Sequence, residues 1–415
     1  MKKIIGIFFF IILLIGTVLP ISAQLKNIYV NNEYDTKKLN GGWYKTYGGP
    51  GLDCFKGLDL TDDGGYILAG ETEIGGSKEA WLVKTDSDGN VLWELTYGTP
   101  NGRDALWPVK TVSNGGYICG GWFYNITQET WDGLLIKVNE NGKISWVNTY
   151  GGNGDDQFYA LLEVDDGYFA VGMSSSYGSG NYNGFIMKTD FDGNLIWDKA
   201  LEKEGYSGEV DSITNANEND GYIISGGYYS DTEPPQGRLI KIDDNGNILW
   251  DKSFGPDQFF DWCTYVSNTD DDYIIAGGTR GGPFGQGKWG PDIWIMKVDN
   301  EGNIIWDLIY GKPIFKDYSI CAEPTSDGGF IFTGHTFGIG GIGDATHAPW
   351  SKICLVKLDS EGNIKWERRM PETGHGRTVR EINYGFIICG FEGPGHGSGS
   401  EHGILIKTDE NGNIN

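Results

Sequence analysis

The side chains best suited to chemistry in this chain are carboxylates and histidines at recurring places. An acidic residue stands at Asp53, Asp104, Asp156, Glu209 (with Asp211 beside it), Asp261 and Asp317. Oxygen ligands of this kind hold hard cations such as Ca2+, and Asp53, Asp104, Asp156, Asp261 and Asp317 form the candidate metal set. The same carboxylates could instead accept backbone N–H bonds and brace loops. A second group gathers near the C-terminal end. Trp289, Asp344, His347, Trp350, His396 and Glu401 form the candidate ligand-binding set. Histidine with carboxylate suits a metal or proton transfer, and tryptophan suits stacking on a sugar or a peptide. Their spacing follows no zinc-ligand pattern. No carboxylate pair stands apart from the repeat, and neither a Gly-x-Ser-x-Gly elbow nor a zinc-protease motif is present. No catalytic residue is therefore assigned.

These residues sit in a repeat. Asp63 to Gly70 reads Asp-Gly-Gly-Tyr-Ile-Leu-Ala-Gly, followed by Ala80 to Asp86, Gly89 to Trp93 and Thr96 to Gly98. The opening element recurs at Gly116-Tyr117, Gly167-Tyr168, Gly221-Tyr222, Asp272-Tyr273, Gly329-Phe330 and Gly385-Phe386. A period of roughly fifty residues made of short alternating segments and Gly/Asn turns predicts propeller blades of four strands, A to D. Strand A would line the central channel. The acids would then ring one mouth, on the face that also carries the B–C loops. Those loops vary most between copies, and variation on a regular scaffold marks binding surface.

Strand D tryptophans number six: Trp93, Trp146, Trp197, Trp250, Trp306 and Trp366. The missing seventh lies at the other end, in Gly42-Trp43-Tyr44-Lys45-Thr46-Tyr47-Gly48. The expectation is an all-β, seven-bladed β-propeller of four-stranded blades. The N-terminal strand would complete the last blade and close the ring, which removes exposed sheet edges. The Asp-x-Asp-Gly-Asn turns resemble calcium loops only superficially. They lack the downstream Glu of an EF-hand and read as hairpin turns.

The Asp-x-x-Gly-Asn-x-x-Trp phrase, repeated along nearly all of residues 41–415, resembles secreted bacterial and archaeal β-propeller repeat proteins. It is also similar to the tryptophan docking motif of the quinoprotein, or PQQ-like, propellers, with the Asp-to-Gly spacing one residue shorter. That resemblance implies tryptophans packed between neighbouring blades. An adjacent Cys-Cys pair is absent, and such dehydrogenases more often have eight blades.

Net charge is −25, with 32 Lys and Arg against 57 Asp and Glu. Phosphate backbones need clustered cations, so a nucleic-acid partner is excluded. Met1-Lys2-Lys3, an apolar run from Ile4 to Leu19 and Ala23 read as a signal peptide over 1–23. A leader then covers 24–40, and no membrane span is expected after cleavage. Cys54, Cys119, Cys263, Cys321, Cys354 and Cys389 are expected to be mostly unpaired core thiols, with Cys119 and Cys389 at one repeat position. Asn125-Ile126-Thr127 is a glycosylation sequon. The resulting expectation is a monomeric, secreted or cell-surface module that binds an extracellular glycan, peptide or protein without catalysis. The alternative is an enzyme, quinoprotein-like or carbohydrate-active, dependent on calcium.

Overall fold

The computed structural model describes residues 36–39, 42–100, 102–178, 181–217, 220–255, 261–280, 292–311, 317–337, 351–393 and 401–414, with side chains 36–39, 317–320, 337, 371 and 372 left aside. Every regular element among them is a strand. No helix there is long and apolar enough to cross a membrane.

Five antiparallel sheets of four strands follow one another along the chain. The first comprises Asp53–Leu60, Tyr66–Ile74, Ser77–Thr85 and Val91–Tyr97, in sequence order from inside to outside. A larger sheet of eight strands holds the rest, because Ile364–Ile382 runs on as one strand. Its first half pairs with Ser351–Leu358 as an outer strand D, and its second half pairs with Gly385–Glu392 as an inner strand A. The sheets thus amount to about seven blades. The N-terminal strand Gly42–Tyr47 pairs with His402–Thr408, Trp43 opposite Lys407 and Tyr47 opposite Gly403, as the orphan strand D predicts. A further strand, Thr36–Leu39, pairs on its outer edge.

Apolar residues on both faces of the strands pack between neighbouring sheets, so the core is a series of layers. The tryptophan position clamps those layers. The Trp93 ring lies against Gly142 in the next C–D hairpin, and its Nε1–H donates to Glu140 O at 2.9 Å. Trp146 repeats this with Gly193 and Phe191 O. Trp43, from the N-terminal strand, lies against Gly89 of the first blade. Gly142 has φ +74, and a Cβ there would enter the indole, so glycine serves both turn and clamp.

The Asp-x-Asp-Gly-Asn segments are hairpin turns. Asp86 Oδ1 accepts from Asp88 N and Asn90 N at 2.9 and 2.8 Å, and Asn90 Nδ2 donates to Asp86 Oδ2 at 2.8 Å. The same bonds recur at Asp190, Asp243, Asp299, Asp359 and Asp409. All six cysteines are free and buried. Register corrects one expectation. Cys119 opposes Ile136 and so shares the row of Leu68, whereas Cys389 opposes Leu405 and shares the row of Ala69.

Candidate functional site

The functional geometry begins with a defect repeated in every inner strand. Pairing of strand A with strand B slips by a residue between Phe55 and Gly57, and likewise between Phe158 and Ala160, Val210 and Ser212, Cys263 and Tyr265, Ser319 and Cys321, and Gly376 and Thr378. In the second blade the slip spans Leu106 to Val109 and includes Pro108, which has no N–H to pair. A β-bulge re-aims the extra side chain. The bulged residues are Lys56, Trp107, Tyr159, Asp211, Thr264, Ile320 and Arg377, each three positions after the D–A loop position held by Asp53, Asp104, Asp156, Gly208, Asp261, Asp317 and Gly374.

The bulge explains a glycine in strand B. The bulged strand pushes a carbonyl toward its neighbour, so a Cβ at Gly70 would collide with Cys54 O, one at Gly121 with Ala105 O and one at Gly277 with Trp262 O. The glycine that ends the repeated Tyr-Ile-Leu-Ala-Gly phrase therefore licenses the bulge.

All the bulged residues with described side chains line one axial cavity of about 640 Å³. Its wall is aromatic on one side. In it Trp107 and Tyr159 pack at a centroid distance of 5.5 Å, both supported by Trp122 at 5.9 and 6.3 Å, and Tyr229 meets Trp262 at 6.4 Å. Trp262 reaches across the fourth blade because Gly227 leaves its place empty, and its Nε1–H donates to Asp211 Oδ2 at 2.8 Å. Glu209 stands beside Asp211, and the Tyr159 hydroxyl is shared between Glu209 and Gln157 Oε1. Burial raises the proton affinity of both carboxyls. The charge of Glu209 raises Asp211 further, well above the ordinary carboxylate range.

Cations face this pair from the other blades. The Lys56 ammonium lies 5.0 Å from the Trp107 ring centre and the Arg377 guanidinium 5.7 Å. Arg377 also lies 5.5 Å from Phe391, and the rings of His335 and His375 are 3.8 Å apart. Glu71 approaches Lys56 at 3.6 Å from behind the wall. At the far end, Arg380 is tied to Glu323, which also accepts from Tyr265 and Ser267.

The sequence-derived candidates fall elsewhere. Asp53 accepts from Gly49 N and Thr72 Oγ1. Asp104 accepts from Thr99 N, Thr99 Oγ1 and Tyr124 N. Asp156 accepts from Gly152 N and Ser176 Oγ. Each lies in its own blade, braced to its own D–A loop, and no group of three His, Cys, Asp or Glu able to hold a metal occurs among the described residues. The fourth blade departs from the expected ring. Gly208, opposite Tyr228, occupies the acid's place, while Glu209 and Asp211 turn into the cavity. The Asp317 side chain, Trp289, Asp344, His347, Trp350 and His396 lie outside the described residues. Glu401 is fully buried, and its carbonyl accepts from Asp53 N at 2.9 Å. Sequence reasoning missed Lys56, Trp107, Tyr159 and Arg377. Their signal was a variable position at constant distance from an otherwise regular acid.

The fifth blade yields a stability prediction. Asp261, Thr279 and Asp292 share one row across three strands. Burial pushes Asp261 and Asp292 each to about 6, and neither oxygen of Asp292 has a hydrogen-bond partner among the described residues. A raised carboxyl favours the folded state while protonated, so stability falls as pH rises from about 4 through 6. Asp292→Asn is expected to stabilise by about 1–3 kcal/mol at pH 7.5 and by little at pH 4. Thermal melts at both pH values check this, and a variant less stable at both would refute it.

An all-β protein of four-stranded blades around an axial cavity is β-propeller-like. No family model matches the chain, and no curated protein matches it. Solved structures do. A polysaccharide lyase of family PL25, an ulvan lyase bound to -[GlcA(1-4)Rha3S]-, is similar with TM-score 0.50 and 7% identity over 89% of this chain and 95% of that one. A Dyadobacter fermentans protein of unknown function has TM-score 0.47 and 10% identity, covering 90% and 99%. Sqt1 from Chaetomium thermophilum has TM-score 0.46 and 9% identity, covering 88% and 99%. At these identities the likeness is one of fold.

Proposed function

We propose that this chain is a secreted, closed seven-bladed propeller that binds a saccharide in its axial cavity. The observation that carries the reading is the aromatic arc of Trp107, Tyr159, Tyr229 and Trp262. These rings are half-buried or exposed, at positions where the blades themselves need no aromatic. Aromatic faces beside hydrogen-bonding groups suit a sugar, which has an apolar face and a hydroxyl rim. The ulvan lyase is a precedent for a saccharide on this architecture. The B–C loop residues Trp289, Asp344, His347, Trp350 and His396 would extend the ligand face. Asp53, Asp104 and Asp156 serve as loop braces rather than calcium ligands, since nearby donors already hold Asp53 and Asp104 by both oxygens and Asp156 by Oδ2.

Calorimetric titration of the mature chain against an oligosaccharide panel tests this. Trp107→Ala is expected to weaken binding at least about tenfold, a loss of about 1.4 kcal/mol or more, while the variant still unfolds in a single cooperative transition. Unaltered affinity would remove the cavity from consideration.

A second reading, cleavage of a glycosidic bond, is favoured by Glu209 and Asp211. Burial and mutual repulsion raise the proton affinity of this pair in a cavity wall, which is the direction a general acid requires. New reducing ends on incubation with the bound saccharide, lost in Glu209→Gln, would establish it.

A further inference from the structure

We propose that the bound saccharide is anionic and that its carboxylate or sulfate docks between Lys56 and Arg377, against Trp107. The inference deepens the saccharide reading and rests on it. Its warrant is a reversal of charge. The chain as a whole carries −25. Yet the cavity wall presents Lys56, Lys110, Arg377 and Arg380 with His335 and His375, against only Glu209 and Asp211. Those two acids hold protons more tightly than ordinary carboxyls, which lowers their negative charge further. An acidic protein that turns its cations inward has built a site for an anion, and low-dielectric walls focus that field.

The cations are also placed together. Lys56 is the bulged residue of the first blade and Arg377 that of the last, so the same backbone device aims both at one indole. Lys56 is only 6% exposed. A side chain so buried cannot swing out to solvent. Burial lowers the pKa of Arg377, while Glu71 and Glu401 nearby act in the opposite direction and keep the charge in place. Arg380 lies against Glu323, away from the Trp107 indole, whereas Lys56, which approaches Glu71 at 3.6 Å, and Arg377 both lie against that indole and form the pole next to the aromatic arc. A guanidinium fork and an ammonium suit a carboxylate or a sulfate ester equally. His335 and His375 supply further ring nitrogens beside them. A sugar ring stacked on Trp107 would thus carry its anionic substituent at the Lys56–Arg377 edge and its hydroxyls toward Glu209 and Asp211.

Three probes separate the possibilities: trigalacturonate, a sulfated maltotriose and plain maltotriose, titrated at pH 7.5 and two salt concentrations. The expected result is a preference of about tenfold or more for an anionic trisaccharide over maltotriose, weakened by salt. Which of the two anions binds more tightly decides between carboxylate and sulfate. Arg377→Gln and Lys56→Met should each remove the preference, weakening the anionic trisaccharide far more than maltotriose, with thermal melts confirming that the variants fold. Equal binding of all three by the parent protein would overturn the anion site and leave the saccharide reading standing. Equal weakening of all three in both variants would do the same. Inorganic sulfate, followed by tryptophan fluorescence, covers the remaining case. If no trisaccharide binds but sulfate shifts the fluorescence in an Arg377-dependent manner, the anion site stands and the saccharide reading falls. If sulfate too is silent, both fall.

Discussion

A chain cut back to begin after residue 49 is expected to lose cooperative folding. The strand Gly42–Tyr47 supplies five paired residues to the edge of His402–Thr408. It also buries Trp43, Tyr44 and Tyr47 to 5%, 4% and 1% exposure. Truncating one buried large aromatic costs about 3–5 kcal/mol, so losing three approaches the whole stability of a typical domain, about 5–15 kcal/mol. Deletion would also uncover a strand edge, a template for aggregation. Two hydrogen bonds leave with it: the Tyr47 hydroxyl donates to Gly89 O at 2.7 Å, and Tyr44 donates to Glu392. The check is a denaturation curve of the shortened chain, with and without a synthetic peptide covering residues 36–49. Recovery of a cooperative transition with the peptide would show that the strand acts by pairing. A shortened chain that melts like the parent would mean that the last blade is complete without it. Trp43→Ala alone, which leaves the strand in place, should fold with a loss of about 3–5 kcal/mol.

The second large effect is expected from Gly277→Ala. A methyl group there would occupy the space of Trp262 O, a backbone atom that cannot rotate away. Overpacking against side chains costs about 1–3 kcal/mol. Against backbone the strand pair itself must part, so about 3 kcal/mol or more is expected. The bulge at Thr264 would flatten or the blade would shift. Either change moves Trp262 relative to Asp211 and Tyr229, so saccharide affinity should fall together with stability. Gly64→Ala provides the contrast. Its φ is +80 but nothing lies within reach of a Cβ. Only the cost of left-handed backbone applies, about 1 kcal/mol. Equal losses in the two variants would show that the bulge tolerates a side chain opposite it.

The repeat made the architecture legible. Glycine and asparagine at fixed intervals declared the turns, alternation declared the strands, and the orphan Trp43 segment declared which terminus completes the last blade. These are local properties, so one chain read by itself carries them. The acids before strand A were also visible. Their position, though not their use, followed from the pattern, because a carboxylate in a D–A loop reads the same whether loop amides or a cation will occupy it.

The cavity was not visible, for a physical reason. A bulge is a relation between two strands, and nothing within strand A alone reveals which residue its partner leaves unpaired. Lys56 and Arg377 are 321 positions apart in the chain. They become neighbours only where the first and last blades meet, and only there does an indole from the second blade lie beneath both. Glu209 and Asp211, which in the sequence stand with the other acids before strand A, form a cavity-facing pair because Gly208 takes the loop position and Trp262 crosses Gly227. The sequence by itself determined the blades and their order. The tertiary structure decided which variable residues face one another and so where a ligand can be held, because charge and aromatic surface combine through space and not along the chain.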